Sequence, residues 1–131
     1  MYPVSYLISE LRKPLKDEIA DNLVNQLARR SGAADLSTLA LDEREPLSLR
    51  MAIARALVIL YGNGKGDRSS LRLLAEMAKS SHAGVRTAVA DALSAVQTDE
   101  AIALLHGLKR DDHPSVKRAA YEALEEEASP F

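Results

Sequence analysis

The glycine-rich stretch YGNGKGDRSS, at residues 61–70, is the first part of the sequence that could do chemistry. Glycines beside a lysine can cradle phosphate, but that motif needs GxxxxGK[ST] between a strand and a helix. Here Lys65 is followed by Gly66, and the residues before Tyr61 have a helical period. The stretch therefore predicts no phosphate site.

The same stretch is better explained as a linker between two helices. Gly62 is expected to end one helix in a left-handed conformation, and Asp67 or Ser69 to cap the next. The alternative is a mobile contact loop in which Lys65 and Arg68 touch a partner.

Other candidate catalytic and metal-binding residues are sparse. The chain has no cysteine, which excludes disulfides, thiolate metal sites and cysteine nucleophiles. His82 and His113 occupy helix starts about 10 Å apart, too far to share a metal ion, and His106 is expected to be partly buried. No GxSxG motif occurs, and adjacent carboxylates such as Glu125 and Glu126 point apart on a helix. We therefore predict no catalytic residues, no metal and no cofactor.

Composition and charge bound the remaining possibilities. The chain has 131 residues, one Phe, four Tyr and no Trp, which favours one all-α domain packed through aliphatic side chains and alanine. A formal charge of −2 gives no overall attraction to nucleic acid or anionic membrane. The N-terminus lacks a leader pattern, and no apolar run approaches the ~20 residues of a membrane span. We expect a soluble, cytoplasmic protein.

A short motif recurs three times along the chain. It runs aliphatic, basic, any residue, alanine, apolar, two variable residues, alanine and leucine, and it starts at Leu49, Val85 and Val116. Offsets of 3, 4, 7 and 8 from the first residue lie on one face of an α-helix. The small residues on that face let a neighbouring helix approach closely. Shorter amphipathic runs lie between the copies, so each unit is predicted to be a helical hairpin.

The segment before residue 32 is predicted to be a degenerate copy of the motif. Glu18 and Asn22 replace the two alanines, which suits the end of a stack, where no earlier repeat needs to pack. The sequence therefore predicts one all-α domain, a right-handed α-solenoid of about four antiparallel helical hairpins. Its units are a capping hairpin at 1–31 and repeats at 33–61, 67–97 and 98–127.

The repeats resemble HEAT-like repeats, in particular the short variety of phycobilisome-lyase-type proteins. The likeness is carried by DDHPSVKRAAYEAL, SSHAGVRTAVADAL and REPLSLRMAIARAL, which start at Asp111, Ser80 and Arg44. It implies a solenoid whose second helices form the concave face. In that family an aspartate six residues before the basic residue forms a ladder along the turns. Asp111 precedes Lys117 in this way, but Ser80 and Arg44 replace the acid in the other repeats, so the resemblance implies no continuous ladder.

The recurring cations are the candidate binding residues. Arg50, Arg86 and Lys117 follow the shared aliphatic residue and are predicted to form a row at one rim of a groove. With neighbouring residues of the second helices, the predicted partner-binding set is Arg50, Arg55, Arg86, Lys117, Arg118 and Tyr121. Tyr121 would be an aromatic anchor for an acidic segment of a partner protein. The alternative is that the row only neighbours acidic loop residues and keeps the edge soluble.

These observations predict a non-catalytic adaptor or scaffold that binds another protein on its second-helix face. One alternative, implied by the resemblance, is an accessory subunit of a lyase-type heteromeric enzyme. A less favoured one is a DNA-binding HEAT-like protein, because acidic residues follow the basic row into the groove. Copies of the chain can also associate through the apolar ends of a short stack.

Overall fold

The computed structural model describes residues 2–125, and this part of the chain is helical without any β-strand. The helices are α1 (Val4–Leu11), α2 (Asp17–Arg30), α3 (Ala33–Leu41), α4 (Leu47–Tyr61), α5 (Ser69–Met77), α6 (Ala83–Leu93), α7 (Asp99–Leu108) and α8 (Pro114–Ala123). One short 3-10 turn, Gly62–Gly64, follows α4. The predicted all-α class is confirmed.

Consecutive helices pair into four hairpins that stack in chain order. The second helix of each hairpin packs against the second helix of the next, which gives the row α2, α4, α6 and α8. This arrangement is an α-solenoid, as predicted. Residues 126 and 127 of the last predicted repeat lie outside the described part of the chain.

Buried alanines allow the second helices to pack closely. Ala54 and Ala56 of α4 and Ala90 of α6 are completely buried, and Ala52 and Ala88 nearly so. A methyl side chain lets two helix backbones approach, while the larger aliphatic residues of the motif fill the space beneath. The repeated alanines therefore set the spacing of the stack.

The first hairpin has a polar outer face, as expected for the end of a stack. Glu18 and Asn22 are exposed to solvent, and Gln26 donates a hydrogen bond of 2.6 Å to the Asn22 side chain. Glu18 and Asn22 stand where the later repeats have alanine. Water solvates the Glu18 carboxylate and the Asn22 amide, which no described helix covers.

The glycine-rich stretch is a compact linker whose glycines are required by geometry. Gly62 ends α4 with φ of 53°, in the left-handed region that glycine enters without strain. A Cβ on Gly66 would lie 2.2 Å from the carbonyl oxygen of Leu60, so no larger residue fits there. Asp67 then accepts the backbone N–H of Ser69, the first residue of α5, at 3.0 Å. The predicted left-handed end at Gly62 is confirmed, whereas the prediction that Asp67 or Ser69 is the N-cap residue of the next helix was wrong, because that residue is Arg68.

Two properties of the described residues bear on other classes of function. In residues 2–125 no helix combines the length and apolar character that crossing a membrane requires. The same residues hold no group of three His, Asp or Glu side chains that could bind a metal ion. His106 is exposed on α7, so the expectation that it is partly buried was wrong.

Candidate functional site

An open groove lies on the face of the second helices, with walls from α2, α4 and α6. Its volume is about 590 Å³. Helix α4 contributes the apolar side chains of Met51, Val58 and Ile59, and Met51 and Ile59 are 41% and 47% exposed. Apolar side chains this large and this exposed do not pack into the core of the described chain. We call this surface the second-helix groove.

Charged side chains occupy one equivalent position in all four second helices. Asp21 of α2, Arg55 of α4 and Asp91 of α6 line the second-helix groove, and Glu122 is the equivalent residue of α8. Arg55 forms an ion pair with Asp21. Asp91 is exposed, but desolvation by the groove walls raises its pKa, and the nearby Glu122 carboxylate raises it further. Two carboxylates are therefore close enough to repel each other at the α6 side of the groove.

Arg50 is buried at the start of α4, away from the second-helix groove. Its side chain is only 1% exposed. Its Nε donates to the carbonyl oxygen of Ala40 at 3.0 Å, and its Nη1 donates to Glu43 at 2.9 Å. These bonds tie the end of α3 and the following loop to α4.

Arg86, the equivalent residue of α6, bonds into the next hairpin. Its guanidinium binds Asp111 at 2.7 and 3.2 Å in a bidentate pair, and it donates to the carbonyl oxygen of Ser80 at 2.8 Å. The hydrogen bond from Arg86 lowers the pKa of the Asp111 carboxyl group. Asp111 also accepts the backbone N–H of His113 at 2.9 Å, so it caps the start of α8.

Glu43 links these two arginine clusters. Its carboxylate accepts hydrogen bonds from the Ser80 hydroxyl at 3.1 and 3.2 Å, and from Ser81. Burial alone raises the pKa of Glu43, but the bonds from Arg50, Ser80 and Ser81 outweigh it and lower the pKa. Hydrogen bonds thus run across three hairpins without a break. We call this set, Arg50, Glu43, Ser80, Arg86 and Asp111, the polar ladder.

Residues of α8 complete the predicted set. Lys117 and Arg118 are exposed and form no ion pair with another described residue. Tyr121 is half-buried, and the Nζ of Lys109 lies 5.2 Å from the centre of its ring. That distance is within the range of a cation–π contact.

Comparison with protein families agrees with this geometry. A family model of HEAT repeats matches residues 36–125, most of the chain. The chain belongs to the HEAT-repeat family. HEAT repeats generally mediate interactions between proteins and are typically non-catalytic. No curated protein and no solved structure matches the chain.

The ladder of this HEAT-repeat protein corrects two predictions. The expectation of no continuous ladder was wrong, because Glu43 and Ser80 supply acceptors that the six-residue rule does not include. Asp111 pairs with Arg86 of the preceding repeat and not with Lys117. Arg50 is therefore not a surface contact, and Arg86 is held by the joint between hairpins. For these two cations the alternative interpretation, that the row neighbours acidic loop residues, matches the structure.

Tyr121 has the same repeat position as Ala54 and Ala90, and none of these three residues lines the second-helix groove. Ala54 and Ala90 are completely buried in this HEAT-repeat stack, so their column belongs to the joint between repeats and not to the groove. Tyr121 is accessible because it occupies that joint position on the last described helix. It is therefore at an end of the described stack, whereas Arg55 lines the second-helix groove as predicted.

The described contacts give His113 a structural role in this HEAT-repeat chain. Ser115 Oγ lies 2.8 Å from Nδ1 of His113, a distance that a nucleophile and its base could have. The same Nδ1 accepts the Ser115 backbone N–H at 3.2 Å, so the ring caps α8. No carboxylate in residues 2–125 is hydrogen-bonded to this imidazole to orient it.

The apolar part of the groove was missed at the sequence level. Val58 and Ile59 follow the repeated motif on the same helix, nine and ten residues after Leu49. The matching residues of α6 are Ser94 and Ala95, as expected for a solvated face. One signal in the sequence could have revealed this surface. The α4 repeat has aliphatic side chains at two positions where the next repeat has a small or polar one.

Proposed function

We propose that this HEAT-repeat chain is a non-catalytic adaptor or scaffold that binds a partner protein in the second-helix groove. The observation that carries the proposal is the exposure of Met51 and Ile59, 41% and 47%, inside a groove of about 590 Å³. Burying such side chains against a partner releases about 25 cal/mol for each Å² of apolar surface removed from water. A surface of this kind favours a protein partner over a small polar ligand.

The polar ladder supports this proposal indirectly, because it fixes the positions of the groove walls. Arg50 ties α3 to α4 within one hairpin, and the Ser80–Glu43 hydrogen bonds join that hairpin to the next. Arg86 joins the third hairpin to the fourth through Asp111. A groove between helices that cannot slide is preorganised, and less ordering entropy is then lost on binding. In this proposal the two arginines position the surface, and Arg55, Arg118, Lys117 and Tyr121 stay candidates for direct contact.

A nucleic-acid partner finds no support in the charges of the groove. Phosphate binding requires cations free to replace counterions. Arg55 is paired with Asp21, and the α6 end of the groove carries Asp91 beside Glu122. Carboxylates at that position repel a phosphate backbone.

Site-specific photo-crosslinking tests the proposal. A photoreactive phenylalanine analogue replaces Ile59 in the groove of the full chain, and the matched control carries it at Ala103, which is exposed on α7. Both proteins are irradiated in a lysate of the source organism. We expect a defined crosslinked protein from position 59 and none from position 103.

Two results would contradict the proposal. Equal crosslinking from both positions would show that the groove is not special. Absence of any crosslinked protein at position 59, in a chain that still melts cooperatively, would show that the groove has no stable partner in that lysate.

A further inference from the structure

The charge row of the second helices has an unequal balance. Of the four equivalent residues, Asp21, Asp91 and Glu122 are acidic and only Arg55 is basic. Arg55 pairs with Asp21 at the α2 side of the groove. One cation cannot neutralise three carboxylates, so the excess negative charge lies at the α6 and α8 side.

Neither Asp91 nor Glu122 has an ion pair with a described residue. Arg118 lies one helical turn before Glu122 on α8, and even this neighbour makes no ion pair with it within the described chain. Asp91 has a raised pKa, caused first by desolvation and then by Glu122. Both of these effects raise the pKa, and no described neighbour lowers it. The ionised form of Asp91 is therefore poorly stabilised by the chain itself.

The apolar part of the groove adjoins this charge. Asp91, Met51 and Ile59 line the same 590 Å³ space, together with half-buried Val58 and Ala92. An aliphatic side chain of a partner would cover the exposed apolar surface. A cation of the same partner would be placed near the carboxylates.

We infer that the second-helix groove takes a protein segment with a lysine or arginine over Asp91 and Glu122 and an aliphatic residue against Met51 and Ile59. This inference deepens the proposed function and depends on it. It replaces the expected acidic partner segment, because two cations that suggested such a segment, Arg50 and Arg86, are bonded within the polar ladder. A partner cation also relieves the repulsion between two like charges, which favours binding.

The test is a selection of random 16-residue peptides displayed on phage against the immobilised full chain. Enriched peptides are synthesised, and their affinities for variants of the chain are measured by fluorescence anisotropy. The charge variant is D91N with E122Q. The matched control is D112N with E76Q, which changes the net charge equally at exposed positions on other parts of the surface. A second variant, M51S with I59S, reports whether a peptide binds in the groove at all.

We expect the enriched peptides to combine lysine or arginine with aliphatic residues. The charge variant should weaken their binding at least about tenfold, and the control by less than about twofold. Thermal melts of each variant check that the fold is intact, and loss of the Asp91 charge should not reduce stability, given its raised pKa.

The outcomes separate the two proposals. If peptides lose affinity for M51S with I59S but bind D91N with E122Q normally, the groove is a binding site and the inferred cation is wrong. Enrichment of acidic peptides that depend on the groove would also overturn the inference and leave the proposed function standing. If no enriched peptide loses affinity when the groove residues are changed, both the inference and the proposed function are contradicted.

Discussion

Arg50 shows how a charged side chain can belong to the core of a stack. Its guanidinium is 1% exposed and is satisfied by a backbone carbonyl oxygen and the Glu43 carboxylate. Removal of a buried donor leaves its acceptors without a partner in a poorly solvated place. The residue is therefore a structural tie, although its type and repeat position resemble a binding residue.

Replacement of Arg50 by alanine should lower the free energy of unfolding by about 2–3 kcal/mol, because the Ala40 carbonyl oxygen loses the Arg50 donor and Glu43 keeps only its bonds from Ser80 and Ser81. The matched control is Arg44→Ala, whose side chain is 92% exposed and pairs only with Asp42 nearby. That exposed pair should contribute less than about 1 kcal/mol. Urea denaturation of both variants measures the difference. Equal losses would contradict a structural role for Arg50.

Stability should also depend on pH through the polar ladder. Hydrogen bonds lower the pKa of Asp111, and those to Glu43 outweigh the effect of its burial, so the folded state holds fewer protons than the unfolded state in acid. The stabilisation is complete above the ordinary carboxyl pKa values and is lost as the pH falls through the lowered folded values. The urea concentration at the unfolding midpoint should therefore decrease as the pH is lowered from about 6 to about 3. Asp111→Asn should make this dependence shallower. An unchanged slope would contradict the role given to the Arg86 pair.

At the scale of the helix, the repeated alanines determine how closely second helices pack. Ala90 of α6 is completely buried, whereas Ala103 of α7 is exposed. Ala90→Asp should lower the free energy of unfolding by at least about 3 kcal/mol, because it buries a carboxylate without a partner. Ala103→Asp should cost only about 0.5 kcal/mol, the difference in helix propensity. Ala92 is half-buried beside the groove, so an aspartate at that position should cost less. Similar melting of the two variants would show that the alanine column is not packed.

The linker between α4 and α5 gives a second prediction at this scale. A Cβ at Gly66 would lie 2.2 Å from the Leu60 carbonyl oxygen, so Gly66→Ala requires the backbone to move. We expect a loss of about 2 kcal/mol or more. Gly107→Ala is the control, because its Cβ would meet no atom within 4 Å inside α7. That change should stabilise the helix by up to about 1 kcal/mol. Circular-dichroism melts distinguish the two, and a neutral Gly66→Ala would show that the linker is not fixed.

Sequence periodicity was sufficient for the elements and insufficient for their contacts. The spacing of Leu49, Val85 and Val116 predicted the helices, since local offsets decide which residues share a face. The left-handed end at Gly62 followed from the same local logic. The partner of Arg86 could not be predicted from such local spacing, because Asp111 is 25 residues away and belongs to another hairpin. A repeat motif shows which residues are equivalent, but it does not show whether each one faces the groove or the joint.

At the scale of the whole molecule, the polar ladder joins the hairpins and the second-helix groove is the proposed binding surface. The polar ladder joins hairpins at the starts of α4 and α6, and the second-helix groove opens on the surface that these helices share with α2. Association of copies through the ends of the stack stays a prediction. The first hairpin exposes polar Glu18 and Asn22 but also Tyr2, Tyr6 and Ile19, so its surface is mixed.

Nuclear magnetic resonance mapping tests the central claim, that a partner binds the face of the second helices. Full-length protein labelled with nitrogen-15 is titrated with a peptide enriched in the selection described above. The account predicts shifts concentrated at Met51, Arg55, Ile59 and Asp91, with the exposed residue Ala103 of α7 unchanged. Shifts confined to the first helices or to the ends of the stack would contradict it.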